Sequence, residues 1–127
     1  MHTYRIGEAA ALMGVSTDTV RRWVNAGRLP AERDSQGRRR IPGAELAAFA
    51  RERTSNDRDR RTSARNRFPG IVTEVVLGDV SALVEIQAGP FGVVSMISRK
   101  SAEELALEPG APAVAVIKST NVVIEKP

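Results

Sequence analysis

The stretch Gly14-Val15-Ser16-Thr17-Asp18-Thr19-Val20-Arg21-Arg22-Trp23 decides the fold of the first half of this chain of 127 residues. Its leading glycine can end a helix with a positive φ, and Ser16 is a preferred N-cap for a new helix. Val20, Trp23 and Val24 recur at i, i+3 and i+4, which is the spacing of one buried helical face. The pattern therefore predicts two helices joined by a turn of three residues.

Three helices and a short hairpin are predicted around this turn. The helices cover residues 6–13, 17–26 and 42–53, where apolar residues return at helical spacing. Between the second and third helices, residues 31–40 contain a polar turn followed by three arginines, which favours a two-stranded wing. We interpret Trp23 as a core residue rather than a base-stacking one, because it shares its stripe with two valines.

Positive charge is concentrated in the first half of the chain. Residues 1–67 carry 15 Lys and Arg against 8 Asp and Glu, a net +7, whereas residues 68–127 carry 4 against 7, a net −3. An arginine-rich basic half is typical of proteins that bind a polyanion, because each neutralised phosphate releases a counterion. The simplest partner is double-stranded DNA.

Several classes of protein are excluded by composition. The chain has no cysteine and one histidine, His2, so it cannot build a Cys/His zinc site, a thiolate nucleophile or a disulfide framework. We find no motif of His, Cys or paired carboxylates that suits catalysis, and we predict no enzyme activity. The sequence shows neither an apolar run of about 18 residues nor a secretory signal pattern, which predicts a cytoplasmic protein.

The second half of the chain changes to the period of β-strands. Five strands are predicted at residues 71–76, 80–87, 91–98, 113–118 and 121–125, with one helix at 100–107. Short strands around one small helix favour a closed or half-closed barrel. Pro69 cannot donate a ladder hydrogen bond, so the first strand is expected to begin later or to lie at an edge. We predict two domains, at residues 1–53 and 63–127, with a linker at 54–62 that contains no apolar residue.

The first domain resembles a known family of DNA-binding modules. Residues 4–53, with Tyr4-Arg5-Ile6-Gly7-Glu8-Ala9-Ala10, the stretch from Gly14 to Trp23 and Gly27-Arg28-Leu29-Pro30-Ala31, are similar to the winged helix-turn-helix of the MerR and excisionase superfamily. The resemblance implies that the second helix reads the major groove and that the wing contacts the DNA backbone or minor groove. The DNA-binding residues that it implies are Ser16, Thr17, Thr19, Arg21, Arg22, Arg38, Arg39 and Arg40.

Hydrogen-bond donors gather at the strand ends of the second domain, at residues 63–66, 98–101 and 118–120. A tetrahedral oxyanion needs hydroxyl and amide donors with one or two cations, and a helix N-terminus adds free N–H groups. A site without Asp or Glu has no acceptor for a proton on the ligand. Such a site is expected to prefer dianions such as molybdate, tungstate and sulfate over hydrogen phosphate.

The same clusters resemble a molybdate-binding Mop domain of the TOBE superfamily, the unit of molbindins. The motifs that carry this resemblance are Ser63-Ala64-Arg65-Asn66, Ser98-x-x-Ser101-Ala102-x-x-Leu105 and Ile117-Lys118-Ser119-Thr120. The resemblance implies a five-stranded OB-like barrel that forms homo-oligomers, at least a dimer and in its complete state a hexamer, with molybdate or tungstate bound between subunits. It implies that one chain contributes Ser63, the Ala64 amide and Arg65, and that its neighbour contributes Ser98, Ser101, Lys118 and the Ser119 amide.

These expectations together predict a molybdate-binding or tungstate-binding regulator that associates with DNA. Two alternatives stay open at this point. The protein could store molybdate and use the helix-turn-helix to dock another protein, or it could bind DNA through a first domain whose barrel serves only oligomerisation.

Overall fold

A computed structural model describes residues 2–54 and 62–127. The chain divides into two compact units, Met1–Asn56 and Asp57–Pro127. The predicted linker, residues 54–62, lies almost entirely outside the described residues, so this linker and the exact domain boundaries stay predictions.

The first unit is helical with a small antiparallel sheet, in the strand order β1-β3-β2. Its elements in chain order are β1 (Thr3–Tyr4), α1 (Ile6–Met13), α2 (Thr17–Asn25), β2 (Glu32–Arg33), β3 (Arg39–Pro42) and α3 (Gly43–Arg53). The three predicted helices and the wing strands are therefore present. The sequence pattern did not reveal β1, which has only two residues and depends on β3 for its pairing.

Aromatic packing holds the helices of the first unit together. Trp23 and Phe49 are both 7% exposed, and their ring centroids lie 4.8 Å apart with a tilt of 50°. The Arg53 guanidinium lies over the Trp23 ring, 4.6 Å from its centroid. Because Trp23 is buried between α2 and α3, its interpretation as a core residue is confirmed, and the opposite face of α2 is turned to solvent.

The second unit is one open antiparallel sheet with the strand order β6-β5-β4-β7. Its elements are β4 (Ala64–Leu77), β5 (Ser81–Ala88), β6 (Phe91–Ser98), α4 (Arg99–Glu104), β7 (Pro112–Lys118) and a 3₁₀ helix (Ser119–Asn121). Val72, Val84 and Ile86 form the centre of its core. The strand β4 pairs with β7 from Ala64 to Ile71 and with β5 from Ile71 onward.

Two predictions for this unit were wrong. The first strand begins at Ala64 rather than at residue 71, and the strand predicted at 121–125 does not form in the described chain. A 3₁₀ helix turns the chain after Lys118, and Val122–Pro127 has no strand beside it. Consequently the sheet has four strands and stays open, instead of closing into a five-stranded barrel.

Pro69 and Gly70 lie where β4 passes from one neighbour to the other. Pro69 pairs with Val114 of β7, and among the described residues no strand pairs with its other side, because pairing with β5 starts only at Ile71. This agrees with the prediction of an edge position for the proline. A Cβ atom on Gly70 would lie 2.1 Å from the backbone oxygen of Gln87, so only glycine fits this crossing.

Candidate functional sites

The start of α2 is fixed by a glycine at the end of α1 and by a serine N-cap. Gly14 adopts φ +68° at the end of α1, which permits the sharp turn into α2. The Ser16 Oγ accepts a hydrogen bond from the Thr19 N–H at 3.2 Å and so caps α2. Ser16 was predicted to contact DNA, and the structure also gives it this capping role.

Four of the predicted DNA-binding residues line the outer face of α2. Thr17, Arg21 and Arg22 are exposed, and Thr19 is half-buried. Arg21 Nη1 lies 3.1 Å from Asp18 Oδ1, and Arg22 Nη2 donates to Thr19 Oγ1 at 3.3 Å. Exposed pairs of this kind contribute about 0–1 kcal/mol, so a phosphate can replace them at low energetic cost.

Asp34 organises the turn of the wing. Its Oδ1 accepts hydrogen bonds from the backbone N–H groups of Gln36 and Arg38, each at 2.9 Å, and its Oδ2 lies 3.4 Å from Arg40 Nε. The Arg38 N–H, and then the Gln36 N–H and the Arg40 guanidinium, hold the pKa of the Asp34 carboxyl below its usual value, against an opposing effect of desolvation. Gly37 completes the turn with φ +76°.

The three arginines of the wing therefore have different surroundings. Arg38 is exposed at the turn, whereas Arg39 and Arg40 are half-buried. Arg39 Nη1 donates to Asn25 Oδ1 at 2.6 Å and so ties the wing to the last turn of α2. The Arg40 side chain is held by Asp34. Of the three, Arg38 is the arginine whose side chain is most accessible to a phosphate, and Arg39 and Arg40 also position the wing.

Two of the predicted groups of oxyanion donors, residues 63–66 and 118–120, lie side by side where β4 begins and β7 ends. Ala64, the first residue of β4, pairs with Lys118, the last residue of β7. This register brings Ser63 and Arg65 next to Lys118 and Ser119. The side chains of these four residues are exposed. None of the ion pairs within the described part of the chain involves Lys118.

Two neighbouring residues that we had not predicted as site residues hold this group in place. The Thr62 Oγ1 accepts the Ala64 N–H at 3.1 Å, and the Thr62 carbonyl oxygen accepts a hydrogen bond from Arg65 Nη1 at 2.6 Å. Asn66 Nδ2 donates to the Ile117 carbonyl oxygen at 3.0 Å and fixes β7 beside β4. The sequence could have indicated the role of Asn66, because Asn66 belongs to the motif that begins at Ser63. Thr62 belongs to no motif, so nothing in the sequence indicated its role.

The second group of donors lies at the start of α4. The Ser98 Oγ accepts the Ser101 N–H at 3.0 Å, and the Ser98 hydroxyl donates to the Ser101 Oγ at 2.8 Å. The Arg99 guanidinium turns away from these hydroxyls, because its Nε pairs with Glu103 at 2.8 Å and its Nη1 donates to the Gly78 carbonyl at 3.2 Å. We therefore do not count Arg99 among the candidate oxyanion donors.

The two groups lie at opposite ends of β4. Lys118 pairs with Ala64, the first residue of β4. Ser98 pairs with Ser81 of β5, and the next residue of β5, Ala82, pairs with Leu77, the last residue of β4. A strand of 14 residues separates the groups by up to roughly 40 Å along its length. Within one chain, Lys118 and Ser119 thus lie beside Ser63 and far from Ser98 and Ser101, and the predicted division of these donors between two chains stays a prediction.

Across 2–54 and 62–127, no group of three His, Cys, Asp or Glu side chains could hold a metal ion. None of the helices in these two segments is both long enough and apolar enough to span a membrane.

Comparison with known proteins matches both units. Residues 3–54 match the helix-turn-helix domain family, and residues 62–124 match the TOBE domain family. The molybdenum transport protein ModE of Azotobacter vinelandii is 33% identical over 94 residues, which are 73% of this chain and 34% of that protein. The probable molybdenum-pterin-binding protein of Haemophilus influenzae is 40% identical over 65 residues, which are 50% of this chain and 94% of that protein.

A solved structure extends the comparison to the fold. The molybdate-binding protein from Sporomusa ovata is 31% identical, with a TM-score of 0.50 over 51% of this chain and 97% of that chain. The small binding proteins are thus matched over nearly their whole length, whereas this chain covers only about a third of ModE. The chain belongs to the TOBE-domain family through residues 62–124, and it carries a helix-turn-helix domain at residues 3–54.

Proposed function

We propose that this protein is a cytoplasmic regulator that binds double-stranded DNA through its first unit and molybdate or tungstate through its second unit. The observation that carries the proposal is the presence, on one chain, of an α2 face with exposed arginines and of a candidate oxyanion donor set in a unit that is similar to molybdenum-binding proteins. No step of this function requires catalysis.

The DNA-binding part of the proposal rests on α2 and the wing. The outer face of α2 presents hydroxyl, amide and guanidinium groups, which are the groups that contact phosphates and base edges in a major groove. Arg38 extends the cationic surface from the wing. The bond between Arg39 and Asn25 fixes the wing relative to α2, so both elements can meet one duplex as a single surface.

The oxyanion part rests on the chemistry of the donors. Arg65 and Lys118 supply positive charge, and Ser63, Ser98 and Ser101 supply hydroxyls. A charged donor makes a shorter and stronger hydrogen bond to an anion than a neutral donor does. We place no Asp or Glu in this set, so the site offers no acceptor to a protonated oxygen. The expected ligands are fully deprotonated tetrahedral dianions, molybdate and tungstate first.

A second copy of the chain is needed to complete this site. The donors beside Lys118 and those beside Ser98 lie at opposite ends of β4, so we propose that one anion is held by the first group of one chain and the second group of another. A unit of about 65 residues also buries little apolar surface on its own, which favours association. We expect a dimer at least, with a hexamer as the complete assembly.

The storage alternative rests on the second unit alone, because half of this chain covers 94% of the length of the Haemophilus influenzae molybdenum-pterin-binding protein. A storage protein would bind molybdate without measurable affinity for DNA. If the second unit served only for assembly, the protein would bind DNA but no oxyanion.

Two titrations of the full chain separate these possibilities. Fluorescence anisotropy with a pool of random DNA duplexes should show binding that weakens as salt rises, and Arg22→Ala should reduce it, whereas Arg51→Ala, an exposed arginine on α3, should not. Calorimetric titration with molybdate should show saturable binding. DNA binding that is absent, or equal in both variants, would contradict the regulator, and a flat molybdate titration would contradict the sensor.

A further inference from the structure

One acidic residue stands in the middle of the helix face that is proposed to meet DNA. Asp18 is the only carboxylate of α2, and with Arg22 and Asn25 it forms a row at i, i+4 and i+7. This row lies opposite the buried Val20 and Trp23, and the Asp18 side chain is 85% exposed. Phosphates repel a carboxylate, so general affinity for DNA does not explain an aspartate at this position.

The Asp18 carboxylate contacts one of two neighbouring arginines. Arg21 Nη1 lies 3.1 Å from Asp18 Oδ1. Arg22 Nη2 instead donates at 3.3 Å to the neutral hydroxyl of Thr19. The Arg21 side chain is still 57% exposed, so its remaining N–H donors are open to a ligand. The contact with Asp18 restricts where the Arg21 guanidinium can point and offsets part of its positive charge.

The charge of this pair favours an uncharged ligand over a phosphate. An exposed ion pair is weak, so what separates the two ligands is the charge that each of them brings. A phosphate bound to Arg21 would bring a second negative charge next to Asp18. The major-groove edge of guanine is uncharged and presents the acceptors O6 and N7 to an arginine. Guanine can therefore accept hydrogen bonds from the remaining donors of Arg21 while the contact with Asp18 stays intact.

A carboxylate in the first turn of a helix also interacts favourably with the helix dipole. Asp18 lies in the first turn of α2, and the exposed Glu45 lies in the first turn of α3. The dipole accounts for an acid at both positions, but it acts on the stability of a helix and not on the choice between DNA sequences. Discrimination between DNA sequences is consequently the property that separates the two roles of Asp18.

We propose that Asp18 is a positioning residue that determines DNA specificity. It holds the Arg21 guanidinium towards a guanine in the major groove and keeps Arg21 from serving as a general phosphate contact. The target DNA then contains at least one guanine that Arg21 reads, and recognition of that guanine depends on Asp18. This role rests on the proposed function, because it requires that the outer face of α2 meets a duplex.

Selection from a pool of random duplexes by the full chain supplies the DNA for the test. Each guanine of the selected duplex is then replaced in turn, and fluorescence anisotropy gives the affinity for every duplex. The proteins compared are the wild type, Asp18→Ala, Arg21→Ala and the double variant. Glu45→Ala is the matched control, because it removes an exposed first-turn carboxylate from α3 instead of α2.

Replacement of the guanine that Arg21 reads should weaken binding of the wild type about fivefold or more, and that of Asp18→Ala by about twofold or less. Arg21→Ala and the double variant should show the same small effect as Asp18→Ala, whereas Glu45→Ala should keep the wild-type ratio. Asp18→Ala should also bind unselected duplexes at least as tightly as the wild type, because a negative charge has left the surface.

The role of Asp18 is excluded if the wild type prefers no guanine, or if Asp18→Ala keeps the wild-type preference at every guanine. It is also excluded if Asp18→Ala lowers a preference equally in the presence and in the absence of the Arg21 side chain. Any of these results together with salt-dependent binding would retain the proposed function and reject the role of Asp18. A wild type that binds no duplex would instead reject DNA binding itself and this role with it.

Discussion

Removal of the Lys118 ammonium group tests the oxyanion site most directly. Lys118 ends β7 beside Ala64, its side chain is exposed, and none of the ion pairs in the described residues includes it. Lys118→Ala therefore removes a cation without leaving a buried carboxylate unpaired. We expect the free energy of unfolding to change little and the affinity for molybdate to fall.

The size of the loss follows from the kind of bond that is removed. A hydrogen bond to a charged group contributes about 1.5–3 kcal/mol, and the larger values belong to desolvated sites. Since Lys118 is exposed in the single chain, the lower part of this range applies unless a second copy covers it. A loss of about 1.5 kcal/mol raises the dissociation constant for molybdate about tenfold. If the site is fully desolvated, the increase approaches about a hundredfold.

The assay is calorimetric titration of the full chain with molybdate, tungstate, sulfate and phosphate. Lys126→Ala is the control, because Lys126 is also an exposed lysine and lies outside both groups of donors. Molybdate and tungstate should bind alike, sulfate more weakly because of its smaller radius, and phosphate most weakly because of its proton. The reasoning is refuted if Lys118→Ala leaves the molybdate isotherm unchanged, or if Lys126→Ala weakens binding equally.

Three further perturbations test other parts of the structure. Arg38→Ala should lower the slope of log affinity for DNA against log salt by about 0.9, the value for one phosphate contact, and an unchanged slope would exclude that contact. Asp34 has a lowered pKa, so its contribution to stability is present above the usual carboxyl pKa of about 3.9 and is lost as the pH falls through the lowered value. Asp34→Asn should therefore speed amide exchange in the wing at neutral pH and reduce its acid dependence, which NMR measures, and identical pH profiles would contradict this role. Gly70→Ala places a Cβ 2.1 Å from the Gln87 oxygen and should cost at least about 1–3 kcal/mol, a fall in Tm of about 5 °C or more. Gly92→Ala, whose Cβ would lie 3.5 Å from its nearest neighbour, is the control, and an equal effect of the two would refute the clash.

Features fixed by neighbouring residues could be predicted from the sequence. The helix starts and ends in the first unit follow from caps and turns a few residues long, such as Gly14 and Ser16, and these predictions agree with the structure to within one residue. The buried position of Trp23 follows from helical spacing in the same way. Contacts between residues that are far apart in the sequence produce no such local pattern. The bond from Arg39 to Asn25 spans 14 residues and depends on the angle at which the wing returns to α2.

The second unit shows the same limit more clearly. The sequence predicts donors at the strand ends, but which of them lie side by side depends on the register of β4 with β7, which a strand pattern does not specify. Asn66 contributes to that register, through a side-chain bond to the Ile117 carbonyl that spans 51 residues. The strand predicted at residues 121–125 failed for a related reason. A β-branched segment forms a strand only where it can pair with a free strand edge, and in the described chain residues 122–125 follow the 3₁₀ helix and pair with no strand. The composition of these residues therefore predicts a strand, whereas the formation of that strand depends on a pairing that composition does not specify.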